Sequence, residues 1–278
     1  MGRILWVASY PKSGNTWMRA FVANLLLAKD QPLSLNEIGE ACASEANLAW
    51  FTPLLDSRDD DVEALSHQRI MELRPAAQRR IAQVNKSDVF IKTHNCHGTF
   101  LGEPLILNEV TLGALYIVRD PRDVVVSAAD HWGLTIDEML DAMADTSMET
   151  APMPGRQVFE KVACWSGHVG SWCGGKARNR MILRYEDLLA DPLKHFTRVA
   201  TKTGLSRDRE RVRQVVDWTR FNKLREMETK EDFVERSQNQ ERFFRSGKAG
   251  NWRAQLSPKQ VARIERDHGE VMRKFGYL

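Results

Sequence analysis

No stretch of the chain approaches the roughly 20 consecutive apolar residues of a membrane-spanning helix, so no membrane span is expected. Cysteine is scarce. The four present, Cys42, Cys96, Cys164 and Cys173, form no C-x-x-C pair and no Cys/His set at zinc spacing. Cys96 lies between His94 and His97, but no second ligand group accompanies it. Such usage excludes a disulfide-built scaffold, points to a reducing compartment and gives no metal site. A strong excess of one charge is also missing. The 40 basic and 37 acidic residues leave a formal net charge of +3. That is too little for a general nucleic-acid binder, and it still allows a local basic pocket. There is no internal repeat and no linker rich in Pro, Gly or Ser, so residues 1–278 read as a single domain. The apolar run Ile4–Ala8 is too short for the core of a secretory signal, and a cytoplasmic protein is expected.

What is present is the composition of a globular protein with a substantial core, 42% hydrophobic and 28% charged. Four short apolar runs read as buried strands: Ile4–Ser9, Val89–Lys92, Ala114–Val118 and Met181–Tyr185. They carry little alternation, which is the pattern of a parallel sheet covered on both faces. Helical patterns separate them. Trp17–Ala28 repeats apolar residues every three or four positions. Arg122–Trp132 has Pro121 at its first turn. Asp187–Thr203 is broken by Asp191-Pro192 into two helices. Ser257–Phe275 has Ser257 as N-cap, Pro258 at its first position and Gly276 past its end. Strands alternating with helices predict an α/β fold with right-handed crossovers and a ligand site at the carboxyl ends of the strands. Segments 31–88 and 133–180 exceed simple crossovers and read as helical insertions of the kind that shape a substrate pocket. The acidic run Asp59–Asp61 reads as a solvated helix start.

The stretch SYPKSGNTW, Ser9 to Trp17, lies between the first strand and the first helix. Backbone N–H groups there converge on one concavity, and the helix dipole adds partial positive charge. Lys12 brings a full charge, Ser13, Asn15 and Thr16 bring donors, and Gly14 lets the backbone approach a ligand. This is an anion loop, yet its lysine precedes its single glycine, unlike G-x-x-x-x-G-K-[ST]. An ordinary turn capped by Asn15 or Thr16 is the plainer possibility. The second strand ends in IKTHNCH, which delivers Lys92 and His94 to one face and suits general-base chemistry beside negative charge. His97 stays open as an alternative. The third strand ends at Arg119, and Ser127 follows two turns into the next helix. Together they make a fork for a second phosphate. Asp120 can be read as a magnesium-holding acid of the ATPase kind or as a helix N-cap ahead of Pro121. RFFRSGKAGNWR, Arg242 to Arg253, suits a mobile basic loop over an anionic nucleotide, or simply a solvated basic loop.

Four of these motifs, in this order, resemble the cytosolic-type small-molecule sulfotransferases that use 3′-phosphoadenosine 5′-phosphosulfate (PAPS): YPKSGNTW, KTH, RDPRDVVVS and RSGKAGNW. YED at Tyr185 and WTRF at Trp218–Phe221 also match, so the resemblance spans most of the chain. It implies a P-loop-like parallel sheet flanked by helices, with insertions forming the acceptor pocket. It implies a PAPS donor, an adenosine 3′,5′-bisphosphate (PAP) product and no required metal. Lys12, Ser13, Gly14, Asn15, Thr16 and Trp17 would hold the 5′-phosphate, with Trp17 as a base-stacking face. His94 would take the acceptor proton and Lys92 would stabilise the sulfuryl group. Arg119 and Ser127 would grip the 3′-phosphate, along with Phe244, Arg245, Ser246 and Gly247 of the last loop. Tyr185, Thr219 and Phe221 would surround the adenosine.

The chain departs from the family pattern in three places. R-K-G reads Arg245-Ser246-Gly247, so one cation is missing. G-D-W reads Gly250-Asn251-Trp252. The dimer signature K-x-x-x-T-V-x-x-x-E is degraded to Arg253, Ser257, Pro258 and Ala262, which gives no basis for the family's dimer. Fixed cations and N–H donors suit in-line sulfuryl transfer without a metal. A magnesium-dependent P-loop kinase and a silent nucleotide-binding protein remain the rivals. Trp50, Phe51, Trp132, Phe159, Trp165 and Trp172 are candidates for an apolar acceptor wall, at least half of them expected to be core. The acceptor is then a phenol, sterol, lipid or natural product, with a sugar also allowed.

Overall fold

The computed structural model describes residues 2–57, 59, 61–85, 87–174 and 179–278. Asp60, the middle of the acidic run, lies outside them. Four strands form one sheet: β1 (Ile4–Ser9), β2 (Val89–Thr93), β3 (Thr111–Val118) and β4 (Arg180–Arg184), in the order β2-β1-β3-β4. β1 and β2 run parallel, with Ile4 opposite Val89 and Ala8 opposite Thr93. Every residue of β1 is buried, which is why its sequence shows no alternation. Trp6 has no exposed surface, and its indole nitrogen donates to Thr111 Oγ1 at 2.9 Å. β4 differs from the expected buried strand. It is an edge strand, half-exposed at Ile182, and Tyr185 begins the following helix instead of ending the strand.

The helices that matter for function start as their sequences direct. α1 (Asn15–Leu27) follows the anion loop. α2 (Pro121–Trp132) is capped by Asp120, whose side chain accepts from Arg122 N, with Pro121 in the first turn. Tyr185–Ala190 and Pro192–Thr203 are separate helices, divided at Asp191-Pro192. The C-terminal helix, Pro258–Lys274, opens with a capping box between Ser257 and Gln260. Segment 31–88 is mostly helical, with Leu35–Ala41 and His67–Val84, but 133–180 is not: its helices Ile136–Ala144 and Trp165–Cys173 leave most of it non-helical. The short antiparallel pair Glu149–Thr150 with Glu160–Lys161 was not foreseen.

The chain divides into two compact units. The first comprises Met1–Tyr10, Ala43–Tyr116 and Ala142–Ile182; the second comprises Pro11–Cys42, Ile117–Asp141 and Leu183–Leu278. One core of the first unit gathers Phe51, Ile70, Met71, Ala77, Leu105 and Phe159. In the second, Phe21 packs on Phe196 with ring centroids 4.3 Å apart, and Trp17 meets Phe196 edge-on at 5.1 Å.

Candidate active site

In the second unit, the loop between β1 and α1 is held in conformations that few residues adopt. Lys12 sits at φ 64° and Gly14 at φ 103°. A Cβ on Gly14 would lie 2.7 Å from Tyr185 Cδ2, so both backbone and space demand glycine there. Gly14 is also the N-cap, and no side chain caps the helix. Neither Asn15 nor Thr16 fills the capping role that an ordinary turn would give it. The Ser13 hydroxyl and the Trp17 indole nitrogen are buried without a hydrogen-bond partner among the described residues. Uncapped N–H groups and an orphaned buried hydroxyl on one loop are what an anion completes. The Lys12 ammonium lies over the Phe243 ring at 4.2 Å. Burial pushes its pKa down to about 8, with Arg119 and Arg245 adding to the shift against Asp130 and Glu235.

Arg119 is the brace of this unit. Its guanidinium donates to Lys12 O at 2.9 Å and Lys248 O at 3.4 Å, and it lies 4.4 Å over the Tyr185 ring. It therefore ties the anion loop to the C-terminal basic loop, while its Nε is buried without a partner among the described residues. Glu186, next to Tyr185, accepts from Asp120 N at 3.0 Å and the Tyr277 hydroxyl at 2.9 Å. The basic loop is fixed at both ends. Glu228 accepts from Phe243 N at 2.5 Å and Phe244 N at 3.0 Å. Asp123 accepts from Gly250 N at 2.6 Å and Trp252 N at 3.0 Å. Gly247, at φ 63°, lies so close to Phe221 that a Cβ would meet the ring at 2.2 Å. Ser127 lies half-buried on α2. Thr219 is buried, and its hydroxyl donates to Val215 O at 2.9 Å in its own helix.

Lys92 and His94 belong to the first unit. The His94 ring places Nδ1 2.8 Å from Ser9 O. A carbonyl only accepts, so Nδ1 carries the proton and Nε2 keeps its lone pair. Burial, reinforced by Lys92, pushes the His94 pKa down to about 3, so the ring is neutral. His94 N donates to Glu160 Oε1 at 2.6 Å, and His168 Nε2 lies 3.1 Å from His94 O. The Lys92 ammonium is 2.6 Å from Glu160 Oε2, both side chains buried. Lys92 was expected to stabilise the sulfuryl group; here its ammonium is paired with Glu160. Burial raises the Glu160 pKa, but Lys92, His94 and the His94 N–H outweigh it and hold the carboxyl at about 2. Glu160 was missed at the sequence level. Its one signal is an acid–lysine pair set between apolar residues in Val158-Phe159-Glu160-Lys161-Val162. His97, the open alternative, makes its backbone bond to the Ser171 hydroxyl and packs edge-on against Trp172.

A family model described as sulfotransferase domain matches residues 3–276. The chain belongs to the sulfotransferase family, the PAPS-dependent transferases its motifs resemble. Cytosolic sulfotransferase 17 of Arabidopsis thaliana is 25% identical over 286 residues, covering 98% of this chain and 75% of that protein. Sulfotransferase 1C2 of Rattus norvegicus is 24% identical over 284 residues, covering 96% and 82%. A mouse sulfotransferase solved in complex with PAP aligns at a TM-score of 0.63 and 18% identity, over 98% of this chain and 85% of that one, and shares the fold.

Against the family pattern, two departures resolve into one. Asn251 Nδ2 donates to the Ser246 hydroxyl. A neutral donor and acceptor thus stand in contact where the family pattern carries a lysine and an aspartate. Asp120, the acid on which a kinase reading rests, accepts from Arg122 N at 2.9 Å, Nε at 3.0 Å and Nη2 at 2.8 Å. Its oxygens are committed to a helix cap and an ion pair, which fits the capping alternative.

Proposed function

We propose that this sulfotransferase moves the sulfuryl group of PAPS to a hydroxyl or amine of a small, largely apolar acceptor by in-line displacement. The single observation that carries the donor site is the loop of Lys12, Ser13 and Gly14, with its uncapped helix start and orphaned hydroxyl. When bound, PAPS supplies the sulfuryl group and a bisphosphate that leaves with its charge. Lys12, protonated in most molecules at neutral pH given a pKa of about 8, faces that charge. Ser13 and the first N–H groups of α1 donate to the 5′-phosphate. Arg119, Ser127, Arg245 and Gly247 hold the 3′-phosphate. Tyr185, Phe221, Thr219 and Trp17 enclose the adenosine. His94, neutral and proton-free at Nε2, accepts the proton of the attacking hydroxyl. Glu160 fixes the His94 backbone and pairs Lys92, so Lys92 acts through that carboxylate. We read the two units as one functional domain, supported by the unbroken match from residue 3 to 276.

Among the candidate wall residues, Phe51, Phe159, Trp165 and Trp172 have 1% exposure or less and belong to the core. Trp50 packs against that core and its indole nitrogen donates to Ser44 O at 3.0 Å, which leaves the half-buried Trp132 as the candidate to face an acceptor. A cytoplasmic setting belongs to the same proposal, supported by the word cytosolic in relatives' names. Thermal unfolding with PAP, compared with ATP plus magnesium, tests the donor. Saturating PAP should raise the Tm by several degrees, since ligand at 100 times its Kd adds about 2.7 kcal/mol. No response to PAP, or a larger one to ATP with magnesium, overturns the proposal. Labelled PAPS offered to phenols, alcohols, amines and sugars then identifies the acceptor class.

A further inference from the structure

The first unit holds another buried carboxylate, which none of the motifs assigned. Glu45, Arg74, Gln78 and Asn95 have no exposed surface. The Glu45 carboxylate accepts from Arg74 Nη1 at 2.5 Å, Gln78 Nε2 at 3.0 Å and Asn95 Nδ2 at 3.1 Å. Both amides are oriented from elsewhere. Gln78 Nε2 also donates to Leu105 O at 2.9 Å, and its Oε1 accepts from Leu107 N at 2.7 Å. Asn95 Oδ1 accepts from Lys161 N at 2.8 Å. Backbone groups thus decide which end of each amide faces Glu45, and both present N–H. Three donors converge there, so only an acceptor satisfies them. Burial pushes the Glu45 pKa up, and Arg74 and then Gln78 oppose it.

The network ends on the two segments that support His94. Arg74 Nη2 donates to Phe159 O at 2.8 Å, and Asn95 binds Lys161 N, so the residues on either side of Glu160 are both held from Glu45. On the neighbouring strand Glu45 N donates to Lys92 O at 2.9 Å, two residues before His94. Cys96 N donates to Lys161 O at 2.7 Å and Trp172 Nε1 to Asn95 O at 2.9 Å, which closes the same frame. Between these ties Glu160 Oε1 receives the His94 N–H. A buried ion pair exchanged for apolar groups of similar volume is often no less stable. Stability alone therefore does not call for Glu45 and Arg74.

We infer that Glu45 is a positioning residue for His94: through Asn95 and Arg74 it holds the two segments, 93–95 and 159–161, that aim Glu160 at the His94 N–H and keep the imidazole on Ser9 O. The inference deepens the transferase function proposed above and rests on it for the role of His94 as base. A reacting group displaced by about 1 Å can lose about 10²-fold in rate. The frame behind His94 therefore governs turnover and leaves donor binding alone.

The test pairs nitrogen NMR of the ligand-free, histidine-labelled protein with transfer from PAPS at pH 8. Phenol, with a tyrosine-like pKa of about 10, keeps its proton there and needs a base; 4-nitrophenol is largely ionised and does not. Two variants cut the network at different places: Asn95→Leu, and Glu45→Leu combined with Arg74→Met, which leaves neither charge buried alone. A third, Glu45→Gln combined with Arg74→Met, keeps an acceptor for Asn95. Wild-type His94, identified by the signal missing in His94→Ala, should show one tautomer with the proton on Nδ1. Both cut variants should mix the tautomers and lose about 10²-fold in kcat on phenol but less than about threefold on 4-nitrophenol, with PAP affinity within about twofold. The third variant should recover the single tautomer and most of the phenol rate. A single tautomer in the cut variants, equal losses on the two phenols, no recovery in the third variant, or failure of both cut variants to fold overturns the role of Glu45. Where the wild type turns over neither phenol, the tautomer signal decides alone. A wild type that does not respond to PAP overturns the transferase function, and the spectra still decide what holds His94.

Discussion

The two units handle their polar groups in opposite ways. Around His94 the partners are in place: Ser9 O on the ring, Glu160 on the backbone N–H and His168 on the carbonyl. Around Lys12 the set is incomplete among the described residues, with an uncapped helix start and a buried Ser13 hydroxyl lacking a partner. A proton acceptor must be oriented before its substrate arrives, so its network is finished in the protein alone. An anion site leaves donors unpaired because the ligand pairs them. In the function proposed above, the first unit positions the proton acceptor and the second binds the donor.

The comparison can be broken most sharply at Lys12. Lys12→Ala should cut transfer by about 10²–10³-fold, the scale for removing one charge-stabilising donor, in a PAPS turnover assay. Activity within a few fold of wild type would mean the loop lysine faces no developing charge. Gly14→Ala should come next. The left-handed backbone and the 2.7 Å approach to Tyr185 predict about 1–3 kcal/mol of strain. Calorimetry should show a lowered Tm and titration a weakened PAP affinity; an unchanged affinity would show that the loop does not need its shape. Glu160→Gln acts on the other unit. It leaves the Lys92 ammonium buried without its counter-charge, at a cost of about 3 kcal/mol, and should lower kcat while PAP affinity holds. A loss confined to PAP binding would assign Glu160 to the wrong side of the comparison.

Smaller effects come from pH. Burial holds His94 at about 3 and His131, His168 and His268 at about 4, all below the ordinary histidine value. A depressed folded pKa contributes stability above the unfolded value of about 6.5 that is lost as pH falls toward 3–4. Glu160 adds stability above its ordinary 4.5 that is lost toward about 2. The Tm should fall by several degrees between pH 7 and pH 5, read by scanning calorimetry; a flat profile would contradict the buried neutral imidazoles. The smallest effect runs the other way. Lys12, depressed from 10.5 to about 8, costs stability while charged, and that cost disappears only as pH rises past those values. Lys12→Met should therefore raise the Tm of the ligand-free protein at pH 7 by a few degrees, with PAP binding lost. A lowered Tm would show that the Lys12 charge stabilises the empty loop.

Much of this was legible in the sequence because it is local. The lack of alternation in Ile4–Ser9, the Asp120-Pro121 start of α2, the break at Asp191-Pro192 and the Ser257 cap each follow from a few adjacent residues. The shape of the loop between β1 and α1, with its left-handed Gly14 and uncapped helix start, also lies within one short stretch. What escaped depends on residues far apart in the chain. Glu160 meets Lys92 across 68 positions. No pattern in a single window joins them, and burial alone turns an ordinary lysine–glutamate pair into the support of His94. The edge position of β4 was hidden for the same reason, since an apolar run does not say how many neighbours it has.

The measurement that tests the central claim most directly is a paired one on His94→Ala: calorimetric titration of PAP, and single-turnover transfer from PAPS. The division of labour predicts PAP affinity within twofold of wild type and transfer reduced by about 10²–10⁴-fold. Transfer that persists, or PAP binding that disappears with it, would contradict the claim that one unit binds the donor while the other takes the proton.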